Sequence, residues 1–403
     1  MKCICLFVSI LLLCLLNSAA LAQYAPADNT SARLAIKSEV LGEERVVLVH
    51  TPAGYERGNQ RYPVLYMTDG NAHIDHTGST IEFLARSGRM PQLIIVAIAN
   101  TDRTRDLTPT RASIRNPGGQ TIPFPTSGGA DKFLKFIESE VIPKIESSYR
   151  TQPYRIFAGH SFGGLFAIHA FLARPEVFNA YIAVSPSMGW DDHLLSRRGE
   201  EFFKARTELN RTLFITLANE GGESREGFDR FKEILAKQKA KNFAWGSMLM
   251  EDEDHGSVVL RSHYFGLRKV FDGWQIAATP GSRLEVAGVE DHYKKLSGKF
   301  GFTVLPPELL MNNLGYQLMG DSKMEEAIGV FKHNVERYPN SANVYDSLAE
   351  AYEKSGKLDV AKPNYEKAVQ LGQQNNDPNL QVYKTNFDRV VELLKKNAEG
   401  KGK

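Results

Sequence analysis

Arg155-Ile-Phe-Ala-Gly-His-Ser-Phe-Gly-Gly-Leu165 is the stretch from which the rest of the chain is read. Its centre, Gly159-His160-Ser161-Phe162-Gly163, is G-x-S-x-G, a pattern that background glycine and serine frequencies yield roughly 0.1–0.2 times in a chain of this size. The setting carries more than the letters. A strand-like run leads in, an apolar run predicting a helix over Phe162–Ala173 leads out, and glycines flank the serine where a strand must turn sharply into a helix. Such a turn holds Ser161 in a strained conformation with its hydroxyl exposed above the sheet. It is the candidate nucleophile, against the plainer reading of a serine that merely suits a turn.

Outward from that turn, between about Ala32 and Trp274, short β-branched runs alternate with amphipathic stretches. Ala35–Leu41 and Val46–Thr51, around a turn beginning Gly42-Glu43, predict an antiparallel pair. Compact apolar strands are expected at Val64–Met67, Leu93–Ala99, Arg155–Ala158, Ile182–Val184 and Leu213–Leu217, with Trp245–Met250 strand-like. Helices are expected at Asp131–Ser148, Phe162–Ala173, Gly227–Lys237 and Val258–Phe271. Buried strands alternating with helices predict an α/β fold, a doubly wound and mostly parallel sheet covered on both faces, with its chemistry at the carboxyl ends of the strands.

A serine nucleophile needs a base, expected as a histidine on a loop after the last strand. Of ten histidines, His255 fits: it follows Trp245–Met250 and the acidic loop Glu251-Asp-Glu-Asp254, and precedes Gly256-Ser257 and a helix. His160, His169 and His263 read as structural, and Asp254 as a solvated loop charge. The orienting acid should leave the end of Leu213–Leu217. Glu220 is the first carboxylate there, with Glu223 and Asp229 as alternatives. An oxyanion needs two backbone donors, expected at Phe162 and, from the loop after Val64–Met67, Asn71. A metal reading starts from Asn71-Ala-His73-Ile-Asp75-His76, close to an H-x-H-x-D-H ligand run. Asn71 replaces the first ligand, so His73 and His76 read better as loop residues near the oxyanion hole and no cofactor is expected.

The flanks differ from this core. Lys2, the apolar stretch Ile4–Leu16 and Ala20-Leu21-Ala22 have the order of a secretory signal cleaved after Ala22, too short an apolar run to span a bilayer. Cys3, Cys5 and Cys14 all lie inside it, so the expected mature chain has no disulfide, no thiol nucleophile and no cysteine metal site. At the other end, Leu314-Gly315, Ala327, Phe331 and Pro339 match tetratricopeptide positions, and Leu348-Ala349, Ala361 and Tyr365 repeat them 34 residues later. A helix around Tyr383–Leu394 would cap the stack. The expected organisation is a signal peptide at 1–22, an α/β domain at 23–285, a linker at 286–304 and a small all-α tetratricopeptide-like domain at 305–397. Within 403 residues, 49 Lys and Arg against 47 Asp and Glu give a net charge of only +2. That balance, without a basic run, excludes nucleic acid and anionic membrane surfaces as expected partners.

Tyr62-Pro-Val-Leu-Tyr-Met-Thr-Asp-Gly70, Thr104-Arg-Asp-Leu-Thr-Pro109, the Gly159–Gly164 turn, Ser185-Pro-Ser187 before Trp190, and Asp254-His255-Gly-Ser257 together resemble the esterase D/enterochelin esterase-like branch of the α/β hydrolases, over about 240 residues. The order Ser161, Glu220, His255 is the α/β-hydrolase order. The resemblance implies a Ser-His-acid hydrolase of carboxylic esters, with siderophore, feruloyl, acetyl-sugar and thioester hydrolases among its relatives, and the N-terminal signal pattern puts it in the periplasm or outside the cell. It also implies that Arg105 and Trp190 line the pocket; as lone residues, a surface salt bridge and a packed aromatic are equally good readings. The alternatives are an acyltransferase using the same acyl-enzyme, and an inert scaffold that recruits a protein partner, or a second copy, through its helical repeats.

Overall fold

The computed structural model describes residues 31–115, 121–277 and 283–401. The expected signal segment and its cysteines lie outside them. Two compact units form, the first running through Gln275 and the second beginning at Ile276.

The first unit is built on an eight-stranded sheet. Its strands are β1 (Ala32–Ser38), β2 (Glu43–His50), β3 (Tyr62–Met67), β4 (Ile94–Ile98), β7 (Thr151–His160), β8 (Ala180–Val184), β9 (Glu208–Ala218) and β10 (Lys241–Met250), in the order β1-β2-β4-β3-β7-β8-β9-β10. The antiparallel pairs are β1/β2 and β2/β4, and every other pairing is parallel. A short ribbon, β5 (Ser113–Arg115) with β6 (Thr121–Pro123), stands apart. The central strands read as unbroken apolar runs because both their faces are covered: β3, β4 and β8 are buried throughout. Each fully buried Val, Ile or Leu there contributes about 1.5–3 kcal/mol of transfer free energy.

The helices form two layers. On one side α1 (Gly70–Arg86) packs against α8 (Val258–Val270). The other layer comprises α2 (Arg103–Leu107), α3 (Ala130–Phe136), a π-helical segment (Ile137–Val141), α4 (Ile142–Ser148), α5 (Phe162–Ala173), α6 (Trp190–Lys204) and α7 (Gly222–Lys237). The single helix expected over Asp131–Ser148 is thus interrupted by the π-helical turn, which presents Glu140 to the β1–β2 hairpin. Glu140 Oε1 accepts the N–H groups of Glu39 and Val40 at 3.0 and 2.9 Å. Near that edge the fully buried Arg45 pairs with Asp106 at 2.5 Å and lies over the rings of Phe133 and Phe136, so a charge inside the core is matched by a carboxylate and aromatic faces.

Two expectations need correction here. His73 and His76 were expected as loop residues, and they lie in α1, whose inner stripe is Ile74, Thr77, Gly78, Ile81 and Leu84. Residues 286–304 were expected as a linker and the α/β domain was expected to reach 285. Instead α9 (Val286–Phe300) belongs to the second unit and buries Val289, Tyr293, Leu296 and Phe300 along one face. The second unit continues with α10 (Glu308–Gly320), α11 (Met324–Arg337), α12 (Ala342–Lys354), α13 (Leu358–Gln374) and α14 (Leu380–Lys401). Helix starts recur at the same offset, 308 to 342 and 324 to 358. Within the first pair Gly315 meets the Phe331 ring so closely that a Cβ would stand 2.5 Å from it.

Candidate active site

At the carboxyl end of β7 the chain reverses into α5 through Ser161, which sits at φ 60°, ψ −115°, a conformation that L residues rarely adopt. The flanking glycines make it sterically feasible. A Cβ on Gly159 would lie 2.2 Å from the carbonyl oxygen of Gly163, and one on Gly163 would lie 2.3 Å from Thr68 Oγ1. Ser161 N–H is anchored to the Val184 carbonyl at 2.9 Å. Phe162 then opens α5, so its N–H has no acceptor within the helix.

Asn71 lies in the first turn of α1. As second residue of that helix it also presents an N–H without an intrahelical acceptor, at the carboxyl end of β3 next to β7. Asp69 precedes the helix at φ 55° and does not cap it with its side chain. That carboxylate turns instead to Arg103, whose Nε and Nη2 donate at 2.7 and 3.2 Å, and to Asn100, whose Nδ2 donates at 2.5 Å.

Glu220 and His255 come together from the ends of β9 and β10. Glu220 Oε1 lies 3.0 Å from His255 Nδ1, which places the proton on Nδ1 and leaves Nε2 as the basic nitrogen. Burial alone would raise the Glu220 carboxyl, but hydrogen bonds from His255, Ser185 and Ser224 bring it below the usual carboxylate range. The same contact with Glu220 outweighs desolvation and raises His255 above 6.5. The two loops are joined by a backbone bond from Asn219 N–H to the Glu253 carbonyl, 2.9 Å. Asp254 accepts the N–H groups of Gly256 and Ser257, both at 2.8 Å, and so shapes the turn that carries His255. The alternative acids are placed otherwise: Asp229 is paired with Arg225 at 2.6 Å, and Glu223 packs against Gly189. Ser161 and His255 share no hydrogen bond among the described residues; such contacts often tighten only when substrate arrives.

The structure also separates the two expected pocket residues. Trp190 is buried, donates from Nε1 to Thr110 Oγ1 at 3.2 Å, and sets its ring edge-on to that of Phe162, 5.4 Å between centroids. Arg105 is turned away from these groups: its guanidinium is held by Glu43 at 2.6 Å and Asp106 at 2.7 Å. Arg103, two residues earlier, is the arginine beside Asp69, His160 and Phe162. No local cue marks it, because its partners are distant in sequence.

Behind His255 lies a set of further imidazoles. His160 Nε2 bonds the His255 carbonyl at 2.7 Å with ring centroids 4.6 Å apart, and His73 touches His160, His76 and His263. Burial lowers all four, His160 to about 4 and His263 to about 3. Among the described residues no group of three or more His, Cys, Asp or Glu side chains is arranged to hold a metal ion. A cavity of about 820 Å³ edged by Lys204, Arg206, Lys237, Lys239 and Lys241 opens at the amino ends of β9 and β10, the opposite end of the sheet from Ser161. Two of those cations close α6 and α7, where they offset the negative helix ends.

Comparison with known proteins agrees with this architecture. The family model described as "Putative esterase" matches residues 38–255. The crystal structure of an IroE-like serine hydrolase from Shewanella oneidensis superposes with a TM-score of 0.64 at 30% identity, covering 75% of this chain and 99% of that one. A siderophore enterobactin esterase of Emericella nidulans is 30% identical over 241 residues, 48% of this chain and 77% of that protein. The ferri-bacillibactin esterase BesA of Bacillus subtilis is 33% identical over 175 residues, which is 39% of this chain and 58% of that protein's length.

Proposed function

This chain belongs to the esterase family whose model spans residues 38–255, and from that premise we propose that it is a serine hydrolase of carboxylic esters acting through an acyl-enzyme on Ser161. The observation that carries the reading is the Glu220–His255 pair, 3.0 Å apart, at the same strand ends as the strained Ser161 turn. Ser161 Oγ attacks the ester carbonyl carbon while His255 Nε2 takes its proton. The tetrahedral oxyanion is met by the N–H groups of Phe162 and Asn71, placed at two helix starts. Collapse breaks the C–O bond and His255 returns the proton to the departing alkoxide. Water then repeats the sequence on the acyl-serine, releasing the carboxylic acid. Glu220 keeps His255 in the required tautomer and supports the imidazolium.

Siderophore esterases among the relatives support a small-molecule ester of that class as substrate. The N-terminal pattern supports export to the periplasm or beyond. No helix among the described residues is long and apolar enough to cross a membrane. The recurring helix pairs of the second unit support a tetratricopeptide-like module that binds a protein partner or a second copy.

The test is a panel of aryl esters, feruloyl esters and siderophore lactones assayed with wild type and Ser161→Ala. Loss of at least ~10³-fold in kcat is expected, since the nucleophile acts as part of a unit. A fluorophosphonate that labels the Ser161→Ala protein as well as wild type would overturn the mechanism.

A further inference from the structure

Four hydrogen bonds from Arg103 and Asn100 reach Asp69 and His160, the residues before α1 and before Ser161, and Arg103 makes three of them. Its Nε and Nη2 hold both oxygens of Asp69, the residue immediately before α1, and Nη2 also donates to the carbonyl of His160, immediately before Ser161, at 2.9 Å. Asn100 makes the fourth, to Asp69 Oδ1. The guanidinium also lies over the Phe162 ring, 5.5 Å from its centroid. One planar fork therefore ties the side chain of Asp69, just before α1, to the backbone carbonyl of His160, just before Ser161.

That contact has a conformational cost elsewhere. Asp69 occupies the left-handed region at φ 55°, which an aspartate tolerates better than most residues but not freely. An aspartate before a helix ordinarily caps it by accepting an N–H of the first turn. Here the carboxylate is drawn out to Arg103 and Asn100, and the N–H of Asn71 stays open. The Asp69 side chain is only 10% exposed, so an ion pair with a bidentate arginine is favoured over a solvated carboxylate. A lysine could match the charge but could not reach both Asp69 oxygens and the His160 carbonyl in one plane.

We propose that Arg103 is a positioning residue that fixes the distance between the α1 and α5 amino ends, and so sets the geometry of the oxyanion hole without touching the ester. The proposal rests on the serine-hydrolase reading above. It differs from a substrate-binding arginine in what it predicts: a lost spacing weakens the transition state, whereas a lost substrate contact weakens the bound ester.

The experiment uses the full chain with an aryl acetate as substrate and a fluorophosphonate as a second probe. Arg103→Lys and Asp69→Asn should each lower kcat by ~10²-fold, the range for one impaired oxyanion donor, with KM changed less than about threefold. Fluorophosphonate labelling should slow in parallel, since the phosphoryl oxygen enters the same hole. The double variant should be no slower than the worse single one, because both remove one contact. Thermal unfolding controls for the fold. Wild-type kcat in Arg103→Lys overturns the proposal, and so does a rise in KM at constant kcat, which would make Arg103 a substrate ligand. Multiplying losses in the double variant, or unfolding of both single variants, also overturns it. Ser161→Ala separates the two layers of argument: if it retains activity the hydrolase reading fails, whereas if it is inactive and Arg103→Lys is not, the positioning role alone fails.

Discussion

His255 and Glu220 shift each other's proton affinity in opposite directions, and the shift has a kinetic signature. The imidazole is raised above 6.5 by its bond to Glu220, so kcat/KM should fall on acidification with a midpoint above 6.5, as the base is lost by protonation. In Glu220→Gln that midpoint should move down, while kcat drops by up to ~10⁴-fold. A pH profile of each protein checks both; an unmoved midpoint would detach Glu220 from His255. Gly159 gives a second test at this scale. A Cβ there would lie 2.2 Å from the Gly163 carbonyl oxygen, backbone that cannot swing aside, so Gly159→Ala should cost at least ~2 kcal/mol in denaturant unfolding. The strained Ser161 turn and the meeting of Glu220 with His255 were legible in the sequence because each residue stands just past a strand-like run, where local pattern suffices. Arg103 was not, because its partner Asp69 is 34 residues away and nothing near either residue announces the other.

Helix α1 shows what pattern reading loses. The turn at Thr68–Asn71 and the run of His73, Asp75 and His76 gave its start the look of a loop, yet Ile74, Ile81 and Leu84 bury a helical stripe against the sheet. Packing against α8 overrides the weak propensity. Helix α6 escaped notice for a related reason: Asp191, Asp192 and His193 lie at positive φ before its regular turns begin. The meeting of α1 and α8 also sets an acid limit on stability. Thr77 donates to the His73 carbonyl at 2.6 Å and so accepts from His263 Nδ1 at 2.9 Å, which fixes the tautomer, while burial holds the ring neutral. Folding lowers His263 from 6.5 to about 3, so the unfolded chain binds a proton that the native one refuses. Stability is complete above the unfolded value and is lost as pH falls from ~6.5 toward ~3, by up to about 1.4 kcal/mol per pH unit for each such imidazole. His263→Gln should show a shallower loss by one imidazole's share in urea titrations between about pH 7 and 4.5. An equal slope would mean that His263 gains its proton without unfolding.

At the scale of the whole molecule the two units were legible as two kinds of periodicity, and only their border was misplaced. The stripe of Val289, Tyr293, Leu296 and Phe300 was read as a linker because it lies outside the 34-residue recurrence. Since Ser161, Glu220 and His255 all precede Gln275, a chain ending there should hydrolyse a small aryl ester with kcat within about twofold of full length. A truncated protein that is folded by circular dichroism but inactive would show that the tail completes the site. The strand order has one more consequence, for the newborn chain. Strand β3 finds its second neighbour only when Val64 meets Arg155 of β7, long after β1, β2 and β4 have left the ribosome. Until then an unbroken apolar edge, Tyr62–Met67, stands open to any other strand, which is the hazard that holding chaperones exist to cover. The strand that ends at Ser161 is the one that closes this edge, and its own far side then stands open until β8 arrives, so the serine turn is set in place while the sheet is still growing.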